Sequence, residues 1–292
     1  MNALRIPDVI VKAAAWPLQP KFRHRLEGVL VTLALVLFGV HLGLFACNRI
    51  WSLGWESELF NSALQAMYTP FSVILIAEVY LLVYYLPTSF ARSLGKQIEI
   101  VALIEIRSVF KSLDQISEWP WDADFFPHLI AALALGGILV LFYALLPRRL
   151  ARIEEVQLNS FVRIKTLIAG LLTVLLLLIS VYAFAAWGLD LVLHPSHLHS
   201  DPNAIFYNTF FTVLILVDVL LLVVSFRYLD DFGLILRNSG FIIATILLRQ
   251  ALGSEPWHGL AYDVTAGVLA VLMVLTQRGL NARRQSNHAG AA

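Results

Sequence analysis

The sequence is poor in charge and almost free of cysteine. Of its 292 residues, 14% are charged and 59% are hydrophobic, and Cys47 is the single cysteine. A soluble domain is closer to half apolar and a quarter charged, so this composition indicates a protein that crosses a membrane several times. One cysteine excludes an intramolecular disulfide and any CxxC site. The formal net charge is only +1, and no basic run is interleaved with aromatic residues, which argues against a nucleic-acid partner.

The common catalytic motifs are missing as well. The sequence contains no GxSxG, no phosphate-binding P-loop, no GxGxxG and no HExxH. Residues 1–27 lack the long apolar core of a cleavable signal peptide and form a basic lead-in instead. We therefore predict a protein that is not an enzyme.

Long apolar stretches are what the sequence does have. About twenty apolar residues are enough to span a bilayer, and we count eight candidate spans, at roughly 28–48, 68–87, 96–114, 127–147, 165–189, 205–226, 236–252 and 259–277. The third span carries several charges and the seventh is short, so hydropathy alone would leave six.

The distribution of basic residues favours all eight spans. The connections after even-numbered spans and the tail are basic, and they hold Arg92, Lys96, Arg148, Arg149, Arg152, Arg163, Lys165, Arg227, Arg237, Arg278, Arg283 and Arg284. The opposite connections are mainly acidic. Because Lys and Arg mark the cytoplasmic side, this pattern predicts a multi-pass protein with both termini in the cytoplasm.

A cytoplasmic linker, 148–164, divides the spans into two sets of four. We predict an all-α fold of two four-helix membrane units, 28–147 and 165–278, followed by a basic disordered tail, 279–292. An even number of spans per unit gives both units the same orientation. The repeat is therefore parallel, with its pseudo-axis along the membrane normal.

Each unit carries an acid in its second span and an arginine in its third. Glu78 precedes Arg107 by 29 residues, and Asp218 precedes Arg249 by 31. A short inner loop joins the two spans, so they are antiparallel neighbours whose charges fall at similar depths, about 15 Å into the membrane. We expect two ion pairs near the midplane, which either lock helix register or line an ion or proton path.

Glu105 is two residues from Arg107 and points to another helix face. It needs a different partner or a proton, which makes it a candidate carboxylate for such a path. The matching stretch before Arg249 has no acid, so the two units have diverged.

Histidines suggest two further sites. His194, His197, His199 and Asp201 lie within eight residues in an outer loop, where they could hold a divalent metal. Their spacing matches no zinc signature, and a polar open turn is the alternative interpretation. His41, inside the first span, is either a packing histidine or a haem ligand. No other cofactor is predicted.

The second unit also has features of a known family. These are Asp218 in its span, Arg237 opening the next span, Arg249 twelve residues on, the break Gly253-Ser-Glu-Pro and a basic end near Arg284. With these residues the chain resembles the phosphate-starvation-inducible E family of small bacterial inner-membrane proteins. Asp218 departs from the family's longer Glu, and Lys96 in the first unit stands one residue out of step with Arg237. The resemblance implies a tandem duplication of a four-span unit in the bacterial inner membrane, connected with phosphate limitation.

These observations lead to two functional hypotheses and a third, narrower one. The first is a partner or regulatory membrane subunit that lies in the lipid bilayer and forms a homo-oligomer or part of a larger membrane complex. The second is a channel or transporter for ions, protons or small anions, with its path lined by Glu78, Glu105, Arg107, Asp218 and Arg249. The third is a metal-responsive sensor that uses the histidine-rich loop.

Overall fold

The computed structural model describes residues 7–51, 66, 68–112, 124–146, 159–193, 209–226 and 232–289. These ranges contain nine α-helices: α1 (Asp8–Ala15), α2 (Pro20–Trp51), α3 (Tyr68–Tyr84), α4 (Phe90–Ser112), α5 (Phe125–Leu145), α6 (Asn159–Leu193), α7 (Phe211–Phe226), α8 (Phe232–Leu252) and α9 (Pro256–Ala289). A 3-10 turn, Trp16–Leu18, joins α1 to α2. Since no strand occurs in the described ranges, the predicted all-α class is confirmed.

Several of these helices are long and apolar enough to cross a membrane. They are α5, α8, the segment Asp8–Trp51 that contains α2, most of α6, and α9 as far as Leu280. Helices α3 and α7 are apolar but shorter, with 17 and 16 residues. The 23 residues of α4 extend about 34 Å, but α4 is too charged to join the first group. The chain is membrane-embedded, and eight crossings by α2–α9 remain a prediction.

The outer faces of the bundle are apolar. Leu133, Val140, Leu171 and Val181 are each about 70% exposed, although they lie in the middle of long helices. A helix that is hydrophobic on its exposed side as well as its buried side is typical of a membrane span.

Two helices extend beyond the predicted limits. Helix α9 continues to Ala289, so the prediction that 279–292 is disordered is wrong as far as Ala289. The residues after Gln277 include Leu, Ala, Arg and Gln, which favour helix, and no proline interrupts them. Helix α6 begins at Asn159, inside the segment 148–164 that was predicted to be a linker.

Helix packing brings the two halves of the sequence into one bundle. Helix α3 packs against α4, and α7 packs against α8, as expected of neighbours joined by short connections. Helices in corresponding places also contact each other across the halves: α4 packs on α8, and α5 packs on α9. One hydrophobic cluster draws on α2, α3, α4, α6 and α7, and a second on α4, α5, α8 and α9. Both clusters combine helices from the two halves, so the halves share their core.

One glycine marks a close approach between halves. A Cβ atom at Gly267 of α9 would lie 2.5 Å from Ile138 Cδ1 of α5. Small residues let membrane helices approach each other closely, so a larger side chain at Gly267 would push α5 and α9 apart.

The described part of the basic lead-in is attached to the bundle. Pro17 is buried, and its carbonyl accepts a hydrogen bond of 2.7 Å from the Tyr80 hydroxyl. Arg23 pairs with Glu27 at 2.6 Å and donates to the Tyr85 hydroxyl at 2.9 Å. Since α1 also packs against α6, these contacts fix the beginning of α2 against α3 and α6.

The crossing of α4 can be tested by labelling cysteines. In a Cys47→Ser background, we expect Ser89→Cys, before α4, to react with a membrane-impermeant maleimide only from the cytoplasmic side. Ser117→Cys, in the connection after α4, should react only from the opposite side. Ser286→Cys serves as the cytoplasmic reference. If positions 89 and 117 react from the same side, α4 does not cross the membrane.

Candidate functional site

The first predicted ion pair is present between α3 and α4. Arg107 Nη1 lies 3.1 Å from Glu78 Oε2, and each side chain is 10% exposed. This contact has the distance of an ion pair but not the angles of a hydrogen bond, because Glu78 Oε2 accepts none. The same nitrogen donates to the carbonyl of Phe71 at 2.7 Å. Arg107 is therefore held by both a charge and a backbone acceptor on α3.

The second predicted pair, between α7 and α8, is more deeply buried. Arg249 Nη1 donates to Asp218 Oδ2, and the Arg249 side chain is wholly buried. The other donors of this guanidinium group, Nε and Nη2, have no hydrogen-bond partner among the described residues. Burying N–H groups without acceptors is unfavourable, so this pair is less completely satisfied than the first.

The two pairs have a common arrangement. Glu78 and Asp218 lie near the middle of α3 and α7, whereas Arg107 and Arg249 lie toward one end of α4 and α8. The long arginine side chain spans the difference in depth while its head group meets the acid. The spacing of charges in the sequence thus predicted both partners correctly.

A small cavity with a partly polar wall adjoins the second pair, where the two halves meet. Its volume is about 20 Å³, which is room for a single water molecule. Side chains from α4, α6, α7 and α8 supply its polar wall: Ser93, Gln97, Lys165, Asp218 and Thr245. Gln97 donates to Ser93 Oγ at 3.2 Å, and its Oε1 atom has no hydrogen-bond partner among the described residues. The cavity thus offers a free acceptor and a carboxylate inside the bundle.

Lys165 places a buried positive charge in this wall. Its Nζ atom donates to the carbonyl of Thr88 at 2.9 Å and lies 3.9 Å from the centroid of the Phe90 ring. Cation–π attraction of this kind stabilises a desolvated ammonium group. Lys165 is also close enough to Asp218 to interact with it electrostatically. The sequence indicated only a cytoplasmic basic residue at this position.

Glu105 has a partner that the sequence did not predict. Its Oε2 atom lies 2.6 Å from Nδ1 of His128 on α5, and Glu105 is buried. Glu105 and Arg107 do face different helices, as their spacing required. Asp263 of α9, from the second half of the sequence, also lies within electrostatic range of Glu105, although the stretch before Arg249 that matches Glu105 has no acid.

Asp263 is the functional candidate that sequence reasoning missed. It is 0% exposed, and neither carboxylate oxygen has a hydrogen-bond partner among the described residues. The available signal was an acid inside the apolar stretch 259–277. Its significance depends on α9 packing near α4 and α5, which a single sequence does not reveal.

The histidine predictions have different outcomes. His41 is buried, and its Nδ1 atom lies 2.6 Å from Thr69 Oγ1, as expected of a packing histidine. The loop with His194, His197, His199 and Asp201 lies outside the described residues, so its metal site stays a prediction. Within the described ranges, no group of three or more His, Cys, Asp or Glu side chains is arranged to hold a metal ion.

Comparison with known proteins adds no assignment. No family model matches the chain, and neither a curated protein nor a solved structure matches it. The resemblance to the phosphate-starvation-inducible E family therefore stays a prediction from the residues quoted above.

The energetics of the second pair can be measured with a double-mutant cycle. We expect Asp218→Asn or Arg249→Gln alone to lower the free energy of unfolding by about 3–5 kcal/mol, because each leaves a buried charge without its partner. The double variant should lose less than the sum of the two, since both charges are gone. Thermal or denaturant unfolding in detergent provides the measurement.

A surface acid provides the control for this cycle. The Glu255 side chain is 83% exposed beside His258, and we expect Glu255→Gln to leave stability unchanged. If the Asp218 and Arg249 losses simply add, the contact between the two side chains does not stabilise the fold.

Proposed function

We propose that this chain transports protons or another small ion across a membrane, along buried ionisable side chains between its two halves. The observation that carries this proposal is the polar cavity whose wall includes Asp218 and Lys165. Ionisable groups inside a membrane are costly and usually face a pathway or a partner charge. The cavity is small enough that a phosphate ion would require the halves to move apart.

The polar residues of α4 support a path that runs along the bundle. Ser93, Gln97 and Glu105 lie at intervals of four and eight residues and are all buried, so they share one side of the helix. Residues Thr245 and Arg249 form a similar four-residue step on α8, which packs on α4. These polar residues of α4 and α8 supply successive hydrogen-bonding groups in an otherwise apolar interior.

The proposal includes a duplicated architecture and an orientation. Contacts between corresponding helices, α4 with α8 and α5 with α9, support two parallel four-helix units related by an axis along the membrane normal. The basic connections support cytoplasmic termini in the bacterial inner membrane. Transporters with parallel repeats place their sites where the repeats meet, which agrees with the position of the cavity.

A flux assay tests the transport proposal. In liposomes that contain a pH-sensitive dye, we expect the wild-type chain to dissipate a proton gradient. The neutral double variant Asp218→Asn/Arg249→Gln should fold but lose flux by about tenfold or more, equivalent to at least about 1.4 kcal/mol of barrier. Lys165→Gln should also reduce flux, because it removes the other charge beside the cavity.

Exposed charges serve as controls for flux. Glu255→Gln should transport like the wild type, because Glu255 lies at the surface. No gradient-driven flux of protons, simple ions or phosphate in the wild-type protein would overturn the proposal. Unchanged flux in the double variant would exclude Asp218 and Arg249 from the path.

A second candidate is a non-enzymatic partner or regulatory membrane subunit. The closed ion pairs favour it, because Arg107 and Arg249 are both held by carboxylates and would fix helix register without moving an ion. A role under phosphate limitation would follow from the family resemblance alone.

Mild purification from native membranes tests this second candidate. We expect a partner, or further copies of the chain, to be retained at constant stoichiometry in native mass spectrometry. A chain that is repeatedly isolated as a monomer without a partner, from cells grown with and without phosphate, would count against a subunit role.

A further inference from the structure

A second group of ionisable side chains, two of them buried and one half-buried, does not line the cavity. Glu105 of α4, His128 of α5 and Asp263 of α9 come from three helices of the second hydrophobic cluster. Glu105 contacts His128 at 2.6 Å, and Glu105 is close enough to Asp263 to act on it electrostatically. Glu105 and Asp263 are 5% and 0% exposed, so bulk water does not screen their interaction.

No described side chain near Asp263 balances a negative charge. Both of its carboxylate oxygens lack hydrogen-bond partners among the described residues. Among the side chains that the structure describes on the surrounding helices, the ionisable ones are Arg92, Lys96, Glu99, Glu105 and Arg107 on α4, His128 and Tyr143 on α5, and Arg237 and Arg249 on α8. Of these, Glu105 is close enough to act on Asp263 electrostatically, and it has the same sign of charge when ionised.

The two arginines of α8, the helix that packs on α9, bind other groups. Arg249 donates to Asp218 of α7. Arg237 donates to Asn238 and to Gln277. Transferring a carboxylate ion out of water without a compensating partner is strongly unfavourable, so the described surroundings of Asp263 favour a neutral carboxyl group.

We propose that Asp263 is a proton-binding site and carries a proton in the folded protein at neutral pH. Addition of one proton to a carboxylate oxygen makes the Asp263 side chain neutral in its buried position. A metal cation fits less well, because a metal needs several ligands around it and the described residues form no such arrangement.

The site shares Glu105 with the proposed ion path, but proton binding by Asp263 does not depend on that path. Its helices α5 and α9 do not line the cavity beside Asp218, and proton binding at equilibrium needs no transport. A negative flux assay would therefore overturn the transport proposal but not the proton-binding site. A negative result in the experiment below would overturn the proton-binding site but not the transport proposal.

Infrared spectroscopy of the reconstituted protein tests the inference directly. A protonated carboxyl group has a carbonyl stretch at higher frequency than the carboxylate bands. We expect this band in the wild type at neutral pH, its loss at strongly alkaline pH, and its absence from Asp263→Asn at neutral pH. Glu99→Gln is the matched control, because Glu99 is ion-paired with Lys96 at 2.7 Å, and it should keep the band.

Two results would overturn the inference. One is a carboxyl band that persists at full intensity in Asp263→Asn. The other is saturable calorimetric binding of sodium, potassium or calcium to the wild type that Asp263→Asn abolishes, because a metal cation would then occupy the site.

A second measurement requires no variant to fold. Hydrophobic carbodiimides react with protonated carboxyl groups in apolar surroundings. Mass spectrometry of the labelled wild type should find the adduct on the peptide containing Asp263 at neutral pH and several-fold less of it at alkaline pH. Labelling at other carboxyl groups with none at Asp263, in protein that is otherwise modified, would also overturn the inference.

Discussion

Neutralising charge inside an apolar interior is the constraint on which the rest of this structure depends. Four helices bring an acid and an arginine together across two interfaces, and the partners have to meet at a common depth. A pair of this kind contributes little net stability compared with apolar packing, but separating it is costly. It therefore fixes the relative positions of α3 and α4, and of α7 and α8, more strictly than leucine and valine contacts can.

The two ion pairs differ in how completely the N–H groups of their arginines are hydrogen-bonded. Arg107 uses the Phe71 carbonyl as a second acceptor, while Arg249 keeps Nε and Nη2 without partners in a fully buried position. The less satisfied pair is the one beside the cavity, near Lys165. Incomplete hydrogen bonding destabilises a pair that is purely structural. At a site where a water molecule or a proton is exchanged, the same unpaired groups are useful because they can form new hydrogen bonds.

The parts of the structure that sequence predicted are those governed by local spacing. Apolar runs of helical length placed α2 to α9, and antiparallel neighbours with charges at matched depth identified Glu78 with Arg107 and Asp218 with Arg249. The missed contacts join helices that are distant in sequence. Burial of Lys165 requires α6 to pack near α3, and the approach of Asp263 to Glu105 requires the second half to fold onto the first. The spacing of residues in a single sequence does not reveal which distant helices pack together.

The end of α9 shows a different limit of prediction from sequence. The basic and polar residues 279–292 led to the prediction of a disordered tail. The helix nevertheless continues through it, since elongating an existing helix is far easier than starting one. Charge composition alone did not predict the conformation of the tail.

The shared core has a consequence for biosynthesis. A membrane protein is synthesised from its N-terminus, so α4 is made before α8. Until then Gln97 lacks the side chains of the second half that surround it in the folded bundle. The first half is thus an intermediate whose polar side chains are not yet covered. It depends on rapid synthesis of the second half, or on a membrane chaperone that covers these side chains until then.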